Sequence, residues 1–272
     1  MLKRKKVDEI EYSIISKGTE REGSSKGYMA VTFCDSNKKR KILPIPHGIK
    51  KSHYNLHYLD VKEDVNIEKI AFSRFQLIPA IMYEKNRRYF DKKESILVIG
   101  SGSVGFTTCM ELCRQGHKKI SLLIRKNKQI KTNIFKEIYG ISLNLISDFK
   151  KIKRFKYIID ATGNSDVLRK IVDLCNPFST IFILGTPRKK PLINSLIIHR
   201  KNIHLIGCHE IIGLTNKERN YIFDNIIKEN KKHPTFLYQQ ISNIKDYSKK
   251  NREIGLKTDE NIIEILRYNQ DG

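Results

Sequence analysis

Two patterns of apolar and polar positions divide this 272-residue chain. Over residues 1 to about 62, short apolar runs at Glu11–Ile15, Tyr28–Cys34 and Lys41–Ile45 are separated by Gly, Ser, Asn and charged residues. That alternation predicts short strands of a β-rich unit. Residues 66–84 read as one helix with Ile70, Phe72, Phe75, Leu77 and Ile78 near its buried side. Pro79 is expected to interrupt or kink that helix, because proline has no N–H to donate. From Ser95 onward the pattern becomes strand, turn and helix. Strands are expected before Gly100 and at Lys119–Ile124, Tyr157–Asp160, Thr180–Leu184 and Ile203–Ile206. This is the signature of parallel α/β layering. The expected organisation is residues 1–84 as a β-rich unit with a connecting helix, 85–215 as a doubly wound core, and 216–272 as a segment completing or covering the two.

The strand before Gly100 runs directly into Gly100-Ser101-Gly102-Ser103-Val104-Gly105, and the helix-compatible FTTCMELCRQGH follows at once. In this context a first glycine permits the tight turn and a second lets backbone approach a pyrophosphate. A third lets helix and strand pack closely, while free N–H groups at the helix start meet the negative charge. Gly100, Gly102, Ser103, Val104 and Gly105 are therefore candidate dinucleotide-binding residues. Later strand ends point the same way. Tyr157–Asp160 leads into Ala161-Thr162-Gly163-Asn164, and Thr180–Leu184 into Gly185-Thr186-Pro187. Ligands of doubly wound sheets lie outside the carboxyl ends of the strands, so Thr162, Gly163, Gly185 and Thr186 become candidate walls of the groove.

The end of the second strand carries Arg125 and Lys126 where an NAD-selective site would offer an acid to the ribose hydroxyls. A guanidinium at Arg125 can pair with a 2'-phosphate through two hydrogen bonds, and Lys126 adds point charge. NADP(H) is thus the expected cofactor, with NAD(H) as the alternative. His209 and Glu210, after the Ile203–Ile206 strand, read as turn residues that could also carry protons.

Composition narrows the classes. The formal charge is +23, from 52 Lys and Arg against 29 Asp and Glu, and the cations run from end to end of the chain. They accompany no zinc finger, aromatic RNA-binding signature or helix-turn-helix, which speaks against a nucleic-acid partner. Cys34, Cys109, Cys113, Cys175 and Cys208 form no CxxC pair or disulfide ladder. Cys109 and Cys113, four apart on the expected helix, read as packing residues. The N-terminus lacks a signal-peptide core, and no run approaches the roughly 20 apolar residues of a membrane helix. A reducing cytoplasm and no membrane association are the expectation.

The motifs from Glu94 to Gly207 resemble the medium-chain dehydrogenase/reductase superfamily, which contains the zinc-type alcohol dehydrogenases and zinc-independent quinone and enoyl reductases. Gly100–Gly105 resembles its dinucleotide turn, Asp160-Ala161-Thr162-Gly163-Asn164 its strand ending, and Ile183-Leu184-Gly185 its next cofactor-facing region. Upstream, Ser16-Lys17-Gly18-Thr19-Glu20 is similar to the SxGTE form of its catalytic-domain motif, and Gly27-Tyr28 to its later GY pair. The resemblance implies a Rossmann doubly wound parallel sheet with a second, shortened, β-rich GroES-like domain. Lys17 and Tyr28 stand where zinc-bearing relatives have cysteine and histidine, and the four-cysteine structural zinc cluster has no counterpart. No zinc is therefore expected.

A reductase without zinc stabilises developing negative charge with positioned donors. Thr19 can donate a hydrogen bond, Tyr28 a hydroxyl proton, and Arg74 can hold a carboxylate or phosphate. His47, in ILPIPHG, can transfer a proton near neutral pH. The leading expectation is an NADP(H)-dependent reduction of an activated alkene or carbonyl in a small or medium, potentially anionic, metabolite, in specialised biosynthesis. A noncatalytic dinucleotide-binding or scaffold protein competes with it, and nucleic-acid binding through the positive surface is a third reading. A homodimer is expected through the apolar run Leu192–Ile198 and the strand at Ile203–Ile206, where related enzymes place edge contacts. Intramolecular coverage by Tyr238–Tyr268 is the rival.

Overall fold

The computed structural model describes residues 8–15, 30–34, 39–43, 51–52, 58–62, 64–124, 132–187, 189–190, 192–232, 239–243 and 263–267. The chain divides into two compact units, one formed by Met1–Arg74 with Gly213–Gly272 and the other by Phe75–Ile212.

In the first unit, β1 (Asp8–Ile15), β2 (Ala30–Cys34), β3 (Lys39–Leu43), β4 (Lys51–Ser52) and β5 (Leu59–Val61) precede helix α1 (Ile67–Asn86), which continues into the second unit. The three strands expected from the sequence are present over their described residues. The last elements of the chain return to this unit. Helix α6 (Asn216–Lys232) lies against β5, and β12 (Gln239–Asn243) and β13 (Ile263–Arg267) extend the sheet in the order β12-β13-β1-β2-β3-β5, with β4 also beside β1. Buried residues two apart, Leu59 with Val61 and Ile263 with Ile265, put one face of each strand in the core. Ile14 pairs with Ile265 across β1 and β13. Asn220 fastens α6 to β5: its Oδ1 accepts from Asp60 N at 2.7 Å, and its Nδ2 donates to Tyr58 O at 3.3 Å.

Pro79 does not end α1, which runs on to Asn86. A proline at 79 cannot donate to the carbonyl four residues earlier. That carbonyl, Phe75 O, has Thr107 Oγ1 at 3.3 Å, a hydroxyl whose one proton is also within reach of Ser103 O at 2.8 Å and Val104 O at 3.1 Å. The five apolar residues expected on the buried side are buried, but so is every residue from Ile70 to Tyr83. The helix is enclosed on all sides over that stretch rather than amphipathic.

The second unit holds β6 (Ile96–Ile99), α2 (Ser103–Arg114), β7 (Ile120–Leu123), α3 (Asn133–Tyr139), β8 (Asn144–Ile146), β9 (Tyr157–Asp160), α4 (Ser165–Leu174), β10 (Thr180–Ile183), α5 (Ser195–Lys201) and β11 (His204–Gly207). The strands form one parallel sheet in the order β11-β10-β9-β6-β7-β8. This is the doubly wound order 3-2-1-4-5-6 read from the opposite edge, and its direction reverses between β6 and β9. The expected Rossmann sheet is therefore present. β6, β7 and β9 are buried at every position, as strands covered on both faces must be. Ahead of the sheet, Phe90 stacks on Phe182 at 4.7 Å and on Tyr83 at 5.0 Å. Tyr83 Oη lies 3.1 Å from Nε2 of the buried His117. Burial, followed by the charge of Lys92, pushes that imidazole pKa below its ordinary value.

The apolar run Leu192–Ile198, expected to contribute edge contacts, is helical from Ser195: it forms α5, because Asn194 Oδ1 accepts from Leu196 N at 3.0 Å and Ile197 N at 3.3 Å and so nucleates a helix. The sheet edge on that side is β11 alone. Among the described residues no helix is long and apolar enough to cross a membrane.

Candidate functional site

β6 ends at Gly100, whose φ of +106° is a conformation that side chains other than glycine rarely adopt. The chain then turns through Gly102, the N-cap of α2, where no side chain caps the helix. By contrast α4 and α5 are capped by the amides of Asn164 and Asn194. A Cβ built on Gly102 would have no atom within 4 Å. The start of α2 therefore presents N–H groups beside open space, the arrangement that receives an anion. Gly105 meets the opposite circumstance: a Cβ there would lie 1.7 Å from Gly100 O. The first turn of the helix thus sits directly on the end of the strand.

The ends of β9 and β10 close on this turn. Ala161 N donates to Ile99 O at 2.9 Å, which carries the segment after β9 alongside β6. A Cβ on Gly100 would lie 3.0 Å from Thr162 Cγ2. Gly163 has φ +62°, and a Cβ on it would lie 2.4 Å from Thr186 O; one on Gly185 would lie 2.3 Å from Gly163 N. Two glycines are thus required for the third loop to lie against the second. The turn at Gly100–Gly105, Thr162–Gly163 and Gly185–Thr186 consequently form one contiguous rim at the carboxyl ends of β6, β9 and β10.

The rim has an internal anchor that the sequence reading did not single out. Asp160, 1% exposed, accepts at Oδ1 from Thr162 N at 2.9 Å and from Thr162 Oγ1 at 2.6 Å. Its backbone oxygen accepts from Leu184 N at 2.9 Å and Gly185 N at 2.8 Å. An acid at a strand end with a threonine two residues on was the available signal. Burial pushes the Asp160 carboxyl pKa above its ordinary value, and the Thr162 hydrogen bonds act in the other direction. Because the folded pKa exceeds the unfolded one, the folded chain holds a proton that the unfolded chain releases. The stability so contributed is complete below the unfolded pKa of about 4 and is lost as pH rises through the folded pKa. Asp160→Asn keeps an acceptor without the charge and is expected to be at least as stable as the parent at neutral pH, with no fall across that window. Asp160→Ala leaves the Thr162 N–H without its acceptor and should lose about 1–3 kcal/mol. Urea denaturation over a pH series checks this, and equal losses in both variants would refute the assignment.

Of the remaining sequence-predicted residues, Arg74 belongs to the first unit, where it is buried within α1. Thr19, Tyr28, His47, Arg125 and Lys126 lie outside the described residues. His209 is exposed and serves its turn: its Nδ1 accepts from Ile211 N at 3.2 Å, while Lys85 Nζ donates to its carbonyl at 3.0 Å. Cys109 and Cys113 are buried in α2, as a packing role requires, and burial pushes the Cys113 thiol up to about 12. Beside Cys109, Glu111 is buried at the centre of a polar network on α2. It pairs with Arg114 at 2.6 Å and accepts from Gln76 Nε2 at 3.2 Å. Among the described residues no group of three or more His, Cys, Asp or Glu could hold a metal ion.

No protein-family model matches the chain. It is 21% identical over 227 residues to ribulose-5-phosphate reductase 2 of Staphylococcus aureus, an alignment covering 83% of this chain and 58% of that protein. The chain thus spans under two thirds of the length of the curated relative it matches. Among solved structures, S. aureus TarJ in complex with NADPH is similar with a TM-score of 0.68 at 15% identity, over 97% of this chain and 91% of that one. Escherichia coli K-12 YhdH with bound NADPH is similar with a TM-score of 0.69 at 13% identity, over 97% and 91%. E. coli RspB complexed with NADH is similar with a TM-score of 0.69 at 14% identity, over 96% and 91%. This chain shares its fold with these proteins.

Proposed function

We propose that this chain, which has the fold of the medium-chain dehydrogenases and reductases, is an oxidoreductase that moves hydride between NADP(H) and a carbonyl or activated alkene of a small or medium metabolite. The observation that carries the reading is the contrast between Gly102, whose missing side chain leaves open space at an uncapped helix start, and Gly105, whose missing side chain is filled by Gly100 O. A turn with one glycine for packing and another for access fits a pyrophosphate.

In this reading the N–H groups of Ser103 and Val104 receive the pyrophosphate, and Thr162, Gly163, Gly185 and Thr186 line the path toward the nicotinamide. Arg125, helped by Lys126, grips the 2'-phosphate. When bound, the dinucleotide would supply the hydride. The protein binds and orients it and stabilises charge on the acceptor. Thr19, Tyr28, His47 and Arg74 are the proposed donors on the substrate side. The name of the curated relative puts ribulose 5-phosphate first among substrates to test, and the formal charge of +23 suits an anionic metabolite.

Fluorescence titration tests the cofactor reading. NADPH is expected to bind at least about tenfold more tightly than NADH, a difference of about 1.4 kcal/mol. Arg125→Ala should remove most of that preference while leaving NADH binding near the parent's. Failure of the folded protein to bind either dinucleotide would overturn the proposal. Binding without NADPH oxidation across phosphorylated ketoses, simple carbonyls and activated alkenes would leave the noncatalytic reading in its place.

A further inference from the structure

A parallel sheet puts all its strand starts at one end, opposite the glycine rim. Three adjacent strands of the second unit are preceded there by cations: Lys92 and Lys93 ahead of β6, Lys118 and Lys119 ahead of β7, and Lys153, Arg154 and Lys156 ahead of β9. All of them are exposed. The acids within the same three segments are Asp91 and Glu94. Hydrogen bonding and charge contact hold the row together, with Lys119 Nζ donating to Lys93 O at 3.0 Å and Lys156 Nζ 3.8 Å from Glu94 Oε1. Neighbouring strands stand about 4.8 Å apart, so residues scattered through some sixty positions of sequence become a short positive row.

A second observation adjoins this row. β10 begins after the turn Asn176-Pro177-Phe178-Ser179, in which Ser179 N donates to Asn176 O at 3.3 Å. Proline at the second position and φ of +62° at Phe178 match a type II turn, whose third position ordinarily takes glycine or asparagine. A bulky side chain is disfavoured in that conformation. Yet Phe178 is 66% exposed and so recovers little by burial. Its backbone is held by donation to Lys201 O at 2.8 Å, and the bond from Thr180 N to Lys156 O at 2.8 Å keeps the turn beside the cations. Neither backbone preference nor packing accounts for a phenylalanine here; an aromatic face offered to a partner does.

We infer that this edge of the sheet docks single-stranded nucleic acid, with the lysine row along the phosphodiester backbone and Phe178 stacking on a base. The cations that look dispersed in the sequence are collected by the strand order. An anionic membrane would also meet the charges, but interfacial binding relies on a face of several apolar side chains. Among the described residues Phe178 is the sole exposed large hydrophobic at this end of the unit: Leu145 lies within β8, and Leu192, Leu196 and Ile212 follow the opposite ends of β10 and β11. Docking at this edge leaves the dinucleotide rim accessible.

Fluorescence anisotropy of the full chain with a labelled oligouridylate of about 12 nucleotides, within the usual single-strand footprint, is the test. Binding is expected at ~0.15 M salt, weakening linearly in log affinity with log salt. The triple variant Lys93→Glu, Lys118→Glu, Lys153→Glu should reduce that slope by about 0.7 for each phosphate contact removed. Phe178→Gly should weaken binding roughly 5- to 150-fold and leave the thermal midpoint unchanged or raised, because glycine suits the turn. A control with the same change in charge, Lys217→Glu, Lys228→Glu, Lys232→Glu on α6, should bind close to the parent. The inference is overturned if the control loses as much as the lysine-row variant, or if Phe178→Gly binds like the parent. It is equally overturned if the protein ignores the oligonucleotide and binds phosphatidylserine–phosphatidylcholine vesicles instead.

Discussion

Gly105→Ala is expected to destabilise the protein by more than about 4 kcal/mol, in the range that marks overpacking or backbone strain. The added Cβ would lie 1.7 Å from Gly100 O and 2.7 Å from Gly100 C. Those atoms cannot retreat, because Gly100 N donates to Leu123 O and the neighbouring Ile99 O accepts from Ala161 N. Relief must come from lifting α2, which would open the packing of Phe106, Cys109 and Met110, all 1% exposed or less. A fall in thermal midpoint of roughly 8–16 °C is the expected reading for a chain of this size. Gly102→Ala should behave in the opposite way. Its φ of −82° and ψ of −171° suit any residue, and its Cβ would meet nothing, so the unfolding free energy should stay within about 1 kcal/mol of the parent's. The same methyl would stand where the pyrophosphate is proposed to approach, and NADPH affinity should fall at least about tenfold. Parent-like stability of Gly105→Ala would refute the packing argument. Parent-like NADPH binding by Gly102→Ala would refute the role given to the open side.

Phe182→Ala should be the most damaging core truncation in the second unit, at about 3–5 kcal/mol. The ring is fully buried in β10, stacks on Phe90 at 4.7 Å with 13° between planes, and meets Tyr89 edge-on at 6.4 Å. Phe90 in turn contacts Tyr83, His117 and Tyr157, so the space vacated cannot close without moving a whole cluster. The midpoint should drop by roughly 6–20 °C, and Phe182→Leu should recover much of the loss. NADPH titrated onto the fraction that stays folded should bind with near-parent affinity, since the ring lies inside the sheet and the rim at its end. An unfolding free energy within about 1 kcal/mol of the parent's would show that the ring is not packed in this way.

The conformation of the glycine turn was legible in the sequence because its requirements are local. A positive φ at Gly100, access at Gly102 and close approach at Gly105 all arise within six residues, and each excludes a side chain for a steric reason that spacing alone conveys. The strands at Tyr157–Asp160 and Thr180–Ile183 were legible for a similar reason: strands buried on both faces read as continuous apolar runs. Asp160 was not singled out, because its importance depends on contacts with the segment after β10, more than twenty residues away. The apolar run at Leu192–Ile198, expected to contribute edge contacts, is helical from Ser195. Apolar content alone does not distinguish a short strand from a short helix, and the Asn194 cap settled it.

Sequence by itself determined five strands of the second unit, β6, β7, β9, β10 and β11, their strand–turn–helix alternation, and the conformation of the glycine turn, since these follow from side-chain volume, backbone freedom and hydrogen bonding among near neighbours. Tertiary structure decided the rest. It let α1 continue through Pro79, within a stretch buried from Ile70 to Tyr83, and it carried the chain's last strands back to β1. It also brought Thr162, Gly163, Gly185 and Thr186 against the glycine turn, and it gathered the dispersed lysines at one end of a parallel sheet. Each of these depends on which strands become neighbours and in what register, and that choice is made by burying the whole set of apolar faces together rather than by any stretch of the chain alone.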